Sequence, residues 1–184
     1  MRPAILALAC VFIALPAFAQ TAAQNGAQTA QQPAMAHAHE AAAPSTSLTV
    51  TGPTGKILKV SPEDLKAMPH KSVEVFNEHS KAKETYTGVP LAELLKQVDA
   101  PTGEKLRGKL YLLGVIAEGT DHYRVLYSLA EVDSANHAGD VLVADQIDGK
   151  PIAADGAFKL VSTEEKRPAR WVRNLTAITV KAVD

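Results

Sequence analysis

The sequence predicts an α+β domain of many short strands and two or three short helices, preceded by an N-terminal stretch that lies outside the fold. Three observations predict this class. Short alternating or apolar β-rich segments recur from Leu48 to Val180. Clear amphipathic helical spacing occurs at Val89 to Val98. Glycine, proline and Asp-Gly punctuation separates the rest into pieces of strand length. The order of the strands is not set by the sequence.

The chain has 184 residues. Residues 1 to 19 read as a secretory signal, with Arg2 near the start, an apolar run from Ala4 to Leu15, and a small-x-small cleavage site at Ala17-Phe18-Ala19. The run is shorter than the ~20 apolar residues that a membrane-spanning helix needs, so no transmembrane segment is expected once the signal is removed. Cys10 follows Ala7-Leu8-Ala9, which places alanine where a lipid-anchor site carries a large aliphatic residue. Residues 20 to 46 are rich in Ala and Gln, a composition with little to bury, and read as a disordered linker. His37 and His39 fall within it. Residues 47 to 184 have the size of one domain.

That domain opens on SLTVTGPTGKILKV, two short alternating segments around Gly52-Pro53-Thr54-Gly55, which predict a hairpin. Ser61-Pro62-Glu63-Asp64 starts a short helix. Ser61 accepts from exposed N–H groups, Pro62 tolerates the first turn, and the carboxylates suit the positive end of the dipole. Leu65 and Met68 supply its apolar face and Pro69 stops it. Ser72 to Phe76 alternates as a strand. In VPLAELLKQV, residues 89 to 98, Leu91, Leu94, Leu95 and Val98 share one helical face.

Further along, Lys109 to Ala117 is expected to be a central strand. Tyr123 to Tyr127 is another, running into a helical turn at Ser128 to Val132. Val141 to Ala144, Phe158 to Val161 and Leu175 to Val180 complete the set, with a turn at Asp148-Gly149.

Composition excludes several function classes. Lys and Arg number 19 against 20 Asp and Glu, and removing Arg2 takes the formal charge from −1 to −2. That balance suits neither nucleic acid nor an anionic membrane, and 5% aromatic content does not build a base-stacking surface. The single cysteine, Cys10, leaves with the signal. The mature chain then has no disulfide, no thiol nucleophile and no thiolate for a metal. G-x-S-x-G and H-E-x-x-H patterns are also absent.

A family resemblance rests on motifs in a fixed order. They are the Leu48 to Val60 hairpin with Pro62-Glu63-Asp64-Leu65, Thr85-Tyr86-Thr87-Gly88-Val89-Pro90-Leu91-Ala92-Glu93-Leu94-Leu95, and Tyr123-Arg124-Val125-Leu126-Tyr127-Ser128-Leu129. Asp148-Gly149-Lys150-Pro151-Ile152 and Phe158-Lys159-Leu160-Val161 follow. Together they resemble the molybdopterin-binding domain of sulfite-oxidase-type oxidoreductases, over nearly all of residues 47 to 184. The resemblance implies that fold, a molybdopterin cofactor and redox activity. It also implies a metal-binding cysteine after the strand matching Val73 to Phe76, where this chain reads Asn77-Glu78-His79-Ser80. Arg170-Trp171-Val172-Arg173-Asn174-Leu175-Thr176 is similar to the segment that holds the phosphate-bearing pterin. It keeps both cations and places Trp171 where a small hydroxyl residue stands, so that the indole would fill the space of the pterin.

The candidate ligand-binding residues are Asn77, His79, Lys166, Arg167, Arg170 and Arg173. Guanidinium forks and an ammonium suit phosphate or carboxylate, so a small anionic or pterin-like ligand is the first expectation. A periplasmic or membrane-bound redox partner is the other. His79 is a lone candidate metal ligand, because an imidazole binds copper, zinc or iron but a site needs several ligands. Trp171 is expected to pack under the terminal strand. The leading expectation is thus an exported binding module of this fold without molybdenum redox activity. The alternatives are a molybdopterin-dependent oxidoreductase with a non-cysteine metal ligand, and a periplasmic copper or zinc binder.

Overall fold

A computed structural model describes residues 43 to 152 and 154 to 183. The expected signal, Cys10, and the linker as far as residue 42, with His37 and His39, lie outside the described residues. The α+β class is the one observed. Strands β1 (Leu48–Thr51) and β2 (Ile57–Val60) form the opening hairpin, and helix α1 (Pro62–Lys66) follows. Strands β3 (Lys71–Asn77) and β4 (Ala82–Pro90) form a second hairpin that runs into helix α2 (Leu91–Gln97). Then come β5 (Leu113–Gly119), β6 (Arg124–Ser128), β7 (Val141–Ile147), β8 (Lys150–Pro151), β9 (Lys159–Ser162) and β10 (Leu175–Ala182).

These strands make two sheets. One has the order β2-β1-β10-β5-β6; the other has the order β3-β4-β7-β8, with β9 also paired to β7. Among the described strands only β1 and β10 pair in parallel, which joins the start of the domain to its end.

Local chemistry explains the ends of the helices. Ser61 caps α1 in a reciprocal capping box, its hydroxyl accepting from the Asp64 N–H while the Asp64 carboxylate accepts from Ser61. Ser128 and Glu131 repeat the device at the turn Leu129–Val132, which is a short 3-10 helix. The main core joins the inner face of the first sheet to Leu65 of α1, to Leu91, Leu94 and Leu95 of α2, and to Val141 and Val143 of β7. Their neighbours Leu142 and Ala144 point the other way, as strand alternation requires. They pack with Val73, Val75, Tyr86, Val161 and Trp171 in a second apolar cluster.

Several expectations are corrected. Gly108–Leu112 is a 3-10 turn and its strand begins only at Leu113. Leu110, Tyr111 and Leu112 are exposed and lie ahead of the strand, while Leu113–Gly119 is a central strand between β10 and β6 as expected. Val89 and Pro90 belong to β4, a strand of 9 residues that the helical spacing beyond it obscured. Trp171 lies in the second cluster, away from β10, which belongs to the other sheet. Ser45, ahead of the expected domain start, is buried, and its carbonyl accepts from Ala157 N–H at 3.0 Å.

Gly88 lies within β4 and shows why the strand needs a glycine there. It sits at a register shift between β4 and β7, where an added Cβ would lie 2.2 Å from the Val143 carbonyl oxygen and 2.4 Å from Ala144 Cα. Both obstacles are backbone of a central strand and cannot swing aside. Gly88→Ala is expected to destabilise the domain by about 3 kcal/mol, a fall on the order of 10 °C in midpoint. Thermal unfolding followed by circular dichroism checks this.

Candidate functional site

The residues after β3 open onto a continuous polar network. The Asn77 side-chain amide donates to Glu84 Oε2 at 2.9 Å, and the Ser80 hydroxyl donates to Glu84 Oε1 at 2.7 Å. The Tyr86 hydroxyl donates to the same carboxylate at 2.7 Å. Lys159 then reaches Tyr86 from β9, its ammonium donating to the phenol oxygen at 3.1 Å and to Asp155 Oδ2 at 2.8 Å. Its side chain is only 9% exposed. The ammonium also lies 4.9 Å from the centre of the Tyr86 ring and 5.5 Å from that of Trp171. The two rings meet edge to face at 5.4 Å, and the indole N–H donates to the Ser162 carbonyl at 2.9 Å.

The electrostatics follow from these contacts. Burial acts to raise the Glu84 carboxyl, but donation from Asn77, Ser80 and Tyr86, with the Lys159 charge, holds it below the usual carboxylate range. Burial, reinforced by the Glu84 carboxylate, pushes the Tyr86 phenol well above its ordinary value, so it remains a donor.

Arg170 anchors a second network. Its guanidinium bonds Glu131 Oε1 at 3.1 Å through two nitrogens, pairs with Glu165, and lies 4.4 Å from the centre of the Tyr127 ring. The Tyr127 hydroxyl donates back to the Arg170 carbonyl at 2.7 Å. Burial acts to raise the Glu131 carboxyl, but the Ser128 backbone N–H and Arg170 outweigh it and hold it below its ordinary 4.5.

The structure therefore disperses the residues that the sequence grouped. Asn77 belongs to the Lys159 network, with its side-chain oxygen accepting from the His79 N–H at 2.9 Å. His79 is exposed on the hairpin turn, and among the described residues no three His, Cys, Asp or Glu side chains converge as metal ligands. Arg170 is engaged by two carboxylates. Arg173 is 73% exposed, with Asp155 at 3.9 Å. Arg167 and Lys166 are exposed, and Lys166 lines a cavity.

That cavity is a groove of about 430 Å³ between the β3–β4 hairpin and the segment after β9, lined by Glu74, Phe76, Glu78, Thr163, Glu165 and Lys166 among others. Sequence reading missed Glu84, Tyr86, Asp155 and Lys159 as site residues. The available signal was a lysine within the otherwise apolar Phe158-Lys159-Leu160-Val161.

No protein-family model and no curated protein matches the sequence. Among solved structures, the fold is similar to the crystal structure of the sulfane dehydrogenase SoxCD from Paracoccus pantotrophus, with a TM-score of 0.57 and 21% identity over 73% of this chain. The chain spans 38% of the length of that protein. At this identity the likeness shows a shared fold alone.

Two predictions follow from the networks. Lys159→Met leaves Asp155 and the Tyr86 hydroxyl without their cation and is expected to remove about 3 kcal/mol in urea unfolding. Adding Asp155→Asn should cost less than the sum of the single changes, since the two residues form one pair.

The second concerns acid. Because the folded Glu131 carboxyl is held below 4.5, its contribution is complete above that pH and is lost as pH falls through the folded value. Arg170→Met should therefore cost about 1.5 kcal/mol at neutral pH. Its deficit against the parent should narrow below about pH 4.5, as read from urea midpoints across an acid series.

Proposed function

We propose that this chain is an exported binding module that retains a sulfite-oxidase-type scaffold without molybdenum redox chemistry, and that it engages a protein partner at the groove beside the β3–β4 hairpin. One observation carries the reading: the donor set where the resemblance implies a metal-binding thiolate. Asn77-Glu78-His79-Ser80 offers amide, carboxylate, imidazole and hydroxyl, and the Asn77 and Ser80 side chains are already bonded to Glu84. The only cysteine in the sequence is Cys10, within the expected signal.

The residues present do not fit a molybdopterin. Its pterin segment would rest on the cations Arg170 and Arg173, yet Arg170 pairs with Glu131 and Glu165, and Arg173 faces Asp155. Trp171 stands against Tyr86 and Lys159 with its N–H satisfied by Ser162, so the ring is a fixed part of that face. These contacts favour closure of the cofactor side by the protein's own side chains.

The groove supports a partner better than a small anion. Three carboxylates and one ammonium line it, Glu74, Glu78 and Glu165 against Lys166, and Phe76 is 53% exposed at its rim. Its carboxylates are paired with Lys83, Lys81 and Arg170, so a single ammonium beside them gives a phosphate little attraction, and the exposed Phe76 suits a protein surface. Export rests on the N-terminal signal pattern, and the partner would accordingly be met in the periplasm or outside the cell.

Elemental analysis and oxidised-pterin fluorescence, on protein exported from a host that makes molybdenum cofactor, test the reading. The mature chain is expected to begin at Gln20 and to carry neither molybdenum nor pterin. Near-stoichiometric amounts of both would replace this reading with an oxidoreductase using a non-cysteine metal ligand.

A further inference from the structure

We infer that His70 and Asp145 form a proton-held latch between the start of β3 and a bulge in β7, and that loss of the shared proton at rising pH releases it. The latch stands apart from the groove and from the binding-module reading.

Hydrogen-bond chemistry supplies the first observation. His70 Nδ1 lies 2.8 Å from the Met68 carbonyl oxygen, and Nε2 lies 3.3 Å from Asp145 Oδ2. A carbonyl only accepts, so Nδ1 carries a hydrogen. A neutral ring then presents a bare lone pair at Nε2, and an ionised carboxylate presents only lone pairs in return. The contact is attractive only when one further proton lies between the two atoms, on the ring or on the carboxyl. The pair therefore holds that proton as a unit.

Placement supplies the second. β4 pairs Thr87 with Gln146 and Gly88 with Ala144, so Asp145 is the extra residue of a bulge in β7. Lys71, the first residue of β3, pairs with that same Gly88. His70 thus ties the start of β3 to β7 across β4. Pro69 has no N–H with which to hold the link from α1. The Asp145 side chain is 6% exposed and that of His70 19%. Asp145 Oδ1 is buried with no partner among the described residues, which leaves compensation of the carboxylate to the Oδ2 contact. The ring, nearer the surface, is the half that can swing into solvent.

Among the described residues, Asp145 is the one charged group bonded to the ring. On α1, Asp64 is bonded to Ser61, and Glu63 and Lys66 are exposed. Lys71 turns to Asp140 at 2.7 Å, and on α2 Lys96 pairs with Glu93. Beyond β7, Asp148 accepts from the Thr85 N–H, Lys150 is exposed, and Lys159 is taken by Asp155.

Proton counting gives the direction. In an unfolded chain a histidine holds such a proton below about pH 6.5 and loses it above. Above that value the folded pair binds one proton more than the unfolded chain, so its contribution falls as pH rises until the folded pair also gives the proton up. The latch is closed in mild acid and open in alkali.

The test uses the full mature chain labelled with nitrogen-15. Ring resonances, assigned by their absence in His70→Gln, report the proton. Amide hydrogen exchange, corrected for its intrinsic pH dependence, reports the latch. The Lys71 to Val73 amides should lose about tenfold in protection between about pH 5.5 and about pH 8.5, in step with the Nε2 resonance. Asp145→Asn should flatten that profile, because its side-chain amide donates to Nε2 without a bound proton. The readout is local because His122, which meets Glu118 at 3.0 Å, adds to any global slope. A proton-free contact at about pH 5.5, unchanged protection across the series, or the same change in Asp145→Asn would each overturn the inference. Where Asp145→Asn fails to fold, the resonances and exchange of the parent decide alone.

Discussion

The buried ammonium of Lys159 is the constraint around which the second apolar cluster of this fold is arranged. An uncompensated ion there would cost several kcal/mol, and Asp155, the Tyr86 oxygen and two aromatic faces compensate it together. Each partner comes from a different place in the chain. Tyr86 lies on β4, Asp155 in the turn before β9, and Trp171 beyond β9. Satisfying one charge therefore fixes the second cluster, and Glu84 extends the arrangement to Asn77 and the hairpin turn.

Arg170 does the same work for the segment that follows β9. Its stacking on Tyr127 and its pairing with Glu131 tie this segment to β6 and the turn after it. One cation that an anion site would need, Arg170, is thereby committed to carboxylates of its own chain. The β3–β4 hairpin, by contrast, carries exposed ion pairs, Glu74 with Lys83 and Glu78 with Lys81.

Much of the fold was legible because its signals are local. The Ser61 cap, the apolar face at Leu91, Leu94 and Leu95, and the turn begun by Ser128 are each decided within a few residues. Sheet order was not legible, because the parallel pairing of β1 with β10 joins segments from opposite ends of the domain. The site failed for the same reason. Arg170 looked like a free anion ligand in sequence, yet its partner Glu131 stands 39 positions away and is brought close only by the fold. Asn77 was found through the motif around it. Lys159 passed as a strand residue because nothing local reveals that Tyr86 and Asp155 converge on it.

The closed face has a direct reporter, since Trp171 is the only tryptophan in the chain. Acrylamide quenching of its fluorescence in native and urea-unfolded protein tests whether that face is sealed. A sealed cluster gives a blue-shifted native emission and severalfold weaker quenching than the unfolded chain, with both restored on refolding. Native quenching as strong as that of the unfolded chain would mean that the indole faces an open, solvent-filled pocket, and would contradict the account.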